Sequence, residues 1–181
     1  AIKWGRGIYE NFQRFIQFQI TVNIVAFLIA IISQIGDYQM PFTTIQLLWV
    51  NIIMDGPPAL ALGLEPVRSA VLKRKPISRT ANIITRSMFL NMLSNATYMT
   101  FLLYLQMRFN ILGASLGPSD PFTSSEMQTV LFSMFAMCAL MNALNCREFG
   151  SNSIFPYFTK NKIALQIITL TMVLQIFFTE T

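Results

Sequence analysis

The chain of 181 residues is 54% hydrophobic and 12% charged, with a mean hydropathy of +0.52; soluble domains carry about a quarter charged residues. Thirteen Lys and Arg against eight Asp and Glu leave a net charge of +5, and histidine is absent. These values exclude an ordinary soluble domain; the lack of histidine and of a cysteine cluster removes the common zinc and haem sites, and the sequence shows no Gly-rich phosphate loop ahead of a Lys-Ser or Lys-Thr pair.

The chain opens on Ala1 and a segment, 1–14, that carries Lys3, Arg6 and Arg14 without the apolar core and cleavage site of a signal peptide. It is expected to be an excerpt from a longer chain. An uncharged run comes next at 15–36, close to the ~20 residues that ~30 Å of hydrocarbon requires of a helix. Asn23 sits near its mid-depth, where an amide serves equally as an oxygen donor for an ion or as interhelical glue.

The next apolar block, 38–64, contains a predicted span at about 42–63 and one charge, Asp55. A charge at mid-membrane costs at least ~2.5–3.5 kcal/mol, so Asp55 needs a compensating partner. Protonation or a helix-locking hydrogen bond is one answer. A cation is the other, and two neighbouring features favour it. Asn51 lies four residues earlier, so on a helix its carboxamide oxygen projects from the same face. Gly56-Pro57-Pro58 comes directly after the acid. Two missing amide hydrogens and two ring clashes break the helix and free carbonyl oxygens near 52–54. Broken helices near the midplane recur in transporter ion sites, and an all-oxygen donor set suits a hard cation such as calcium.

Segment 65–86 is basic, and a third span is predicted at 87–107, carrying Asn91 and Asn95. The connection 108–126 holds Gly113, Gly117, Pro118 and Pro121 and reads as turns. A fourth span at 127–146 carries Cys138, Asn142, Asn145 and Cys146, and a fifth at 163–179 succeeds segment 147–162. Packing or interfacial hydration explains the four asparagines, and small-hydrophobe packing the two thiols. The sixteen Phe and eleven Met suit lipid contact and adaptable packing, not a cofactor.

Five alternating spans put 1–14, 65–86 and 147–162 on one side of the membrane, together with twelve of the thirteen basic residues; Arg108 alone falls on the other. The positive-inside rule then predicts a cytoplasmic N-terminal end. Anionic lipid explains the basic excess, and no nucleic-acid partner is expected. The expected fold is all-α: a polytopic transmembrane helix bundle of five spans with a broken helix near Asp55.

The stretches GRGIYENFQRFIQFQITVN at 5–23 and LLWVNIIMDGPPALALGLEP at 47–66 together resemble the fifth and sixth transmembrane helices of type II P-type calcium pumps. RTANIITRSM at 79–88 and CALMNALN at 138–145 fall where that family has its link into the seventh helix and its eighth helix. The resemblance implies that Asn51 and Asp55 are calcium ligands, completed by a fourth helix outside this sequence. Positions that are acid, Thr and acid in two-site members are Ala26, Met54 and Ala139 here. It therefore implies one Ca2+ per cycle, as in the plasma-membrane-type subclass, which the FQITVN stretch also resembles. Asp55-Gly56-Pro57-Pro58 is closer to the secretory-pathway form, since the plasma-membrane subclass often has Asp-Thr.

The same resemblance implies a multi-pass protein, expected in the plasma membrane, that forms part of the calcium pathway of an ATP-driven exporter. Its partners are the lipid bilayer and the remaining pump domains and helices of the same chain. ATP and Mg2+ would be bound by those absent domains, and no catalytic residue is expected in the sequence itself. Other readings are another P-type cation pump (manganese, sodium or proton), a secondary transporter or channel with an intramembrane carboxylate, and a membrane scaffold.

Overall fold

The computed structural model describes residues 2–36, 38, 40–54, 56–65, 67, 82–113, 125–147 and 161–180, and among them only helices form regular structure. Helix α1 spans Ile2–Ile35, α2 Thr44–Trp49, α3 Gly56–Gly63, α4 Arg86–Phe109, α5 Ser125–Asn145 and α6 Lys162–Glu180. A π-helical turn, Val50–Met54, joins α2 towards α3. Both cysteines are free thiols.

Four helical stretches are long and apolar enough to cross a membrane: α1, the stretch Thr44–Gly63, Glu126–Asn145 and Lys162–Thr179. Helix α4, with 24 residues, is about 36 Å long, but Asn91, Ser94, Asn95, Thr97 and Thr100 make it less apolar. Large apolar side chains face outward around the bundle, among them Phe27, Leu48, Leu60, Leu90, Phe101 and Phe177. Water would penalise such a surface, whereas lipid tails accept it.

Helix α1 begins thirteen residues ahead of the uncharged run at 15 and extends, at 34 residues, to about 51 Å. Residues 2–14 are thus a helical projection of the apolar run rather than a separate connection. The helix buries Gly7, Asn11, Arg14, Phe18, Val22, Val25 and Ile29, spaced by three or four residues so that they form one stripe. That stripe packs chiefly on α4 and α3. At Gly7 the chain runs so close to Val67 that a Cβ would collide with its side chain.

Helix α2 starts at Thr43, whose Oγ1 accepts from the Gln46 amide at 3.3 Å while the Thr43 amide donates to Gln46 Oε1 at 2.9 Å. This reciprocal cap satisfies amide groups that a helix start leaves open. Thr85 caps α4 in the same sense, accepting from the Met88 amide. At the other end Asn110 takes the left-handed conformation, with φ of 46°, a geometry that Asn tolerates better than most residues.

Helix α5 touches every other helical element except α2 in substance: α4, α6, α3, the π-helical turn and α1. Its buried Ala136, Ala139 and Ala143 let neighbouring backbones approach closely, a device that membrane bundles use where apolar burial gives no driving force. Two aromatic contacts fix the broken segment to the bundle. Phe42 meets Phe135 at 5.0 Å between ring centroids, and Trp49 meets Phe178 edge-on at 5.0 Å.

Candidate ion pathway

The break expected at Gly56-Pro57-Pro58 is present one turn earlier in the chain. In an uninterrupted α-helix the amides of residues 57 and 58 would bond the carbonyls of Ile53 and Met54; proline supplies neither hydrogen and its ring clashes with the same carbonyls. The chain widens into the π-helical turn at Val50–Met54 and restarts as α3 at Gly56. There both prolines lie in the first turn, where a missing amide hydrogen costs nothing. Such wide turns inside helices commonly mark functional sites.

Asn51 lies in this turn and is exposed. Its Nδ2 donates to the Leu47 carbonyl at 3.0 Å, which leaves the carboxamide oxygen available as an acceptor. Asp55 lies outside the described residues, between the turn and α3. Asn23 is exposed on the side of α1 opposite the buried stripe, and no hydrogen bond joins it to Asn51. Of the three positions matched to lost ligands, Ala139 is 1% exposed inside the core and Ala26 packs against that core. Among the described residues no group of three His, Cys, Asp or Glu could hold a metal ion.

The four other asparagines separate by burial. Asn142 is buried and its Oδ1 accepts from Cys146, whereas Asn91 and Asn95 are half-buried and Asn145 is exposed. Asn95, Asn142 and Asn145 line a groove of about 220 Å³ between α4 and α5, together with Tyr98 and Met137.

A polar cluster that sequence reasoning missed closes the other end of α3. Glu65 is 5% exposed and Arg147 2%, and they form an ion pair at 3.1 Å. The second carboxylate oxygen accepts from Asn161 Nδ2 at 2.7 Å, while Asn161 Oδ1 caps α6 by accepting from the Ala164 amide at 3.0 Å. From α1, Asn11 Nδ2 donates to the carbonyls of Gly63 and Glu65, both at 2.9 Å, which covers the open carbonyl end of α3. Arg14 in turn donates to Asn11 Oδ1 at 2.6 Å and pairs with Glu10 at 3.9 Å. Removing one member of a buried pair like Glu65–Arg147 costs about 3–5 kcal/mol, because the other charge stays behind. The sequence offered only a weak signal: an acid among the basic residues of segment 65–86, directly before a proline.

Comparison with known proteins bears on this architecture directly. The family described as Cation transporting ATPase, C-terminus, matches residues 39–181. The chain belongs to that family. Among curated proteins, this cation-transporting ATPase segment is 40% identical to Calcium-transporting ATPase 12, plasma membrane-type, of Arabidopsis thaliana, with 99% of the chain aligned. It is 38% identical to Calcium-transporting ATPase 4, plasma membrane-type, of the same plant over 98% of the chain, and 38% identical to Calcium-transporting ATPase 7, plasma membrane-type, of Oryza sativa subsp. japonica over 99%. The chain spans 17% of the length of each of these relatives. The expected membership of the P-type pumps, their plasma-membrane-type calcium members in particular, agrees with these similarities, as does the all-α membrane bundle.

Proposed function

We propose that this chain forms half of the calcium pathway of an ATP-driven pump that exports one Ca2+ per cycle across the plasma membrane. The observation that carries the reading is the π-helical turn Val50–Met54, set within a helical stretch long enough to span a bilayer and bearing Asn51 one turn ahead of Asp55. The turn widens the backbone beside the one acid of that stretch. Together with the Asn51 carboxamide it supplies oxygen donors of the kind that calcium takes. Asn23, exposed on the face of α1 away from the stripe that packs on α3, adds no donor to this set. The apolar Ala26, Met54 and Ala139 leave no oxygen for a second ion.

ATP and Mg2+ act on domains of the whole pump outside these residues, and phosphorylation there moves α1 and segment 65–86. The cage around Asp55 then alternates between a tight inward-facing form and a weak outward-facing form, since a transport site must release its ion as well as bind it. The N-terminal end of α1 is cytoplasmic, a reading supported by the basic excess of segments 1–14, 65–86 and 147–162.

The experiment uses the full-length pump and measures calcium-dependent phosphorylation by ATP. Asp55→Asn is expected to abolish calcium dependence in the working range, and Asn51→Ala to weaken it by about tenfold or more. Wild-type calcium dependence in both variants would defeat the assignment. Repeating the titration with Mn2+ separates a calcium pump from a manganese pump, because both ions accept oxygen ligands.

A further inference from the structure

The ion pathway lies at one end of α3 and the cluster of Glu65, Arg147, Asn161, Asn11 and Arg14 at the other. Every member of that cluster is at most 7% exposed. Its members come from four helical regions: Asn11 and Arg14 from α1, the carbonyl of Gly63 and Glu65 from the end of α3, Arg147 from the end of α5 and Asn161 from the start of α6. Helix α3 between the two ends is eight residues long, a rigid rod of about 12 Å. The turn at its far side is a π-helical one, the kind of irregularity at which a helix can hinge.

Together the two ends make α3 a lever. One end is fastened by a carboxylate that two side chains from α5 and α6 grip through different oxygens, and by two carbonyls that one side chain of α1 caps. The other end begins at Gly56, the residue after Asp55 in the sequence. The two Asn11 hydrogen bonds add to the packing of α3 on α1, while the Glu65–Arg147 and Glu65–Asn161 contacts add to its packing on α5 and α6.

We propose that Glu65 is a positioning residue for the ion site: gripped by Arg147 and Asn161, its carboxylate holds α3 in the register that presents Asp55 and the Asn51 turn to the cation. This rests on the ion-pathway reading above and adds to it a residue ten positions away that touches no ion. A charged pair serves the purpose better than apolar packing, because it is directional. Rotation of α3 about its axis stretches both contacts at once, whereas an apolar contact would slide.

The test measures ATP hydrolysis by the full-length pump in membranes as a function of free calcium, and separates half-saturating calcium from the maximal rate per pump. Glu65→Gln and Arg147→Met are each expected to raise half-saturating calcium about five- to tenfold, in the lower part of the range for coupling between distinct sites. The double variant should be no worse than the more severe single one, since both remove the same contact. A structural staple would behave differently, lowering only the number of active pumps. Unchanged half-saturating calcium with a reduced maximal rate therefore overturns the proposal.

If Glu65→Gln yields no folded pump, Asn161→Ser decides the matter: serine still caps α6 but is too short to reach the carboxylate, and about a threefold rise in half-saturating calcium is expected. No rise in that variant likewise overturns the proposal. Asp55→Asn measured alongside separates the two claims. A defective Asp55→Asn beside a normal Glu65→Gln overturns the role of Glu65 alone, whereas wild-type behaviour of Asp55→Asn overturns the ion-site reading beneath it.

Discussion

Replacing both prolines, Pro57→Ala with Pro58→Ala, tests whether the break in the second span is written into the backbone chemistry. In a continuous α-helix each proline would cost about 3 kcal/mol, so together they disfavour the straight form by roughly 6 kcal/mol. Straightening would take the extra residue out of the Val50–Met54 turn and rotate α2 by about 100° relative to α3. Helix α2 can move more easily than α3, because none of its residues is buried while α3 buries Pro58, Ala61 and Leu62. What resists the rotation is Val50, 2% exposed, and the edge-on contact of Trp49 with Phe178. Those are worth about 2–4 kcal/mol together. The proline contribution is the larger, so without it the straight helix competes and Asn51 loses its fixed geometry. Calcium-dependent ATP hydrolysis by the full-length double variant should show half-saturating calcium raised by about tenfold, which is ~1.4 kcal/mol of lost site stabilisation. The thermal midpoint should stay the same or rise. A folded variant with unchanged calcium dependence would refute the reasoning, since the turn would then be held by packing alone.

Two further outcomes are open to measurement. Gly7→Val places a Cβ against the Val67 side chain, and the resulting overpacking should lower stability by about 1–3 kcal/mol. A thermal-unfolding assay should show most of that loss restored by adding Val67→Ala, and no restoration would mean that the clash lies elsewhere. Calcium activation should have a Hill coefficient near one, because Ala26, Met54 and Ala139 offer no second set of oxygens; a coefficient approaching two would contradict the single-ion site.

Much of the architecture can be read from the order of the residues because the bilayer imposes coarse demands. A span must be apolar over a set length, so the uncharged runs 15–36, 127–146 and 163–179 correspond to helices long and apolar enough to cross a bilayer, and an unbroken backbone ladder is impossible at Gly56-Pro57-Pro58. The π-helical turn and the placement of Asn51 within it are consequences of that local rule. The length of α1 was less legible, since charged residues before 15 say only that the chain leaves the hydrocarbon and do not require the helix to end there.

Tertiary structure alone decided the cluster around Glu65. Its members are separated by as many as 150 positions, from Asn11 to Asn161, and each taken singly looks like a solvated residue near a helix end. Charge and amide become a clamp only when three helix ends converge on the side of α1 and exclude water from them, because burial is what turns an ion pair from a weak surface contact into a directional constraint. Composition and spacing therefore determined which helices are apolar enough to cross a membrane and where the stretch Thr44–Gly63 breaks. Which helix ends are fastened to one another depended on packing, since contacts between distant parts of a chain leave no periodic trace in its order.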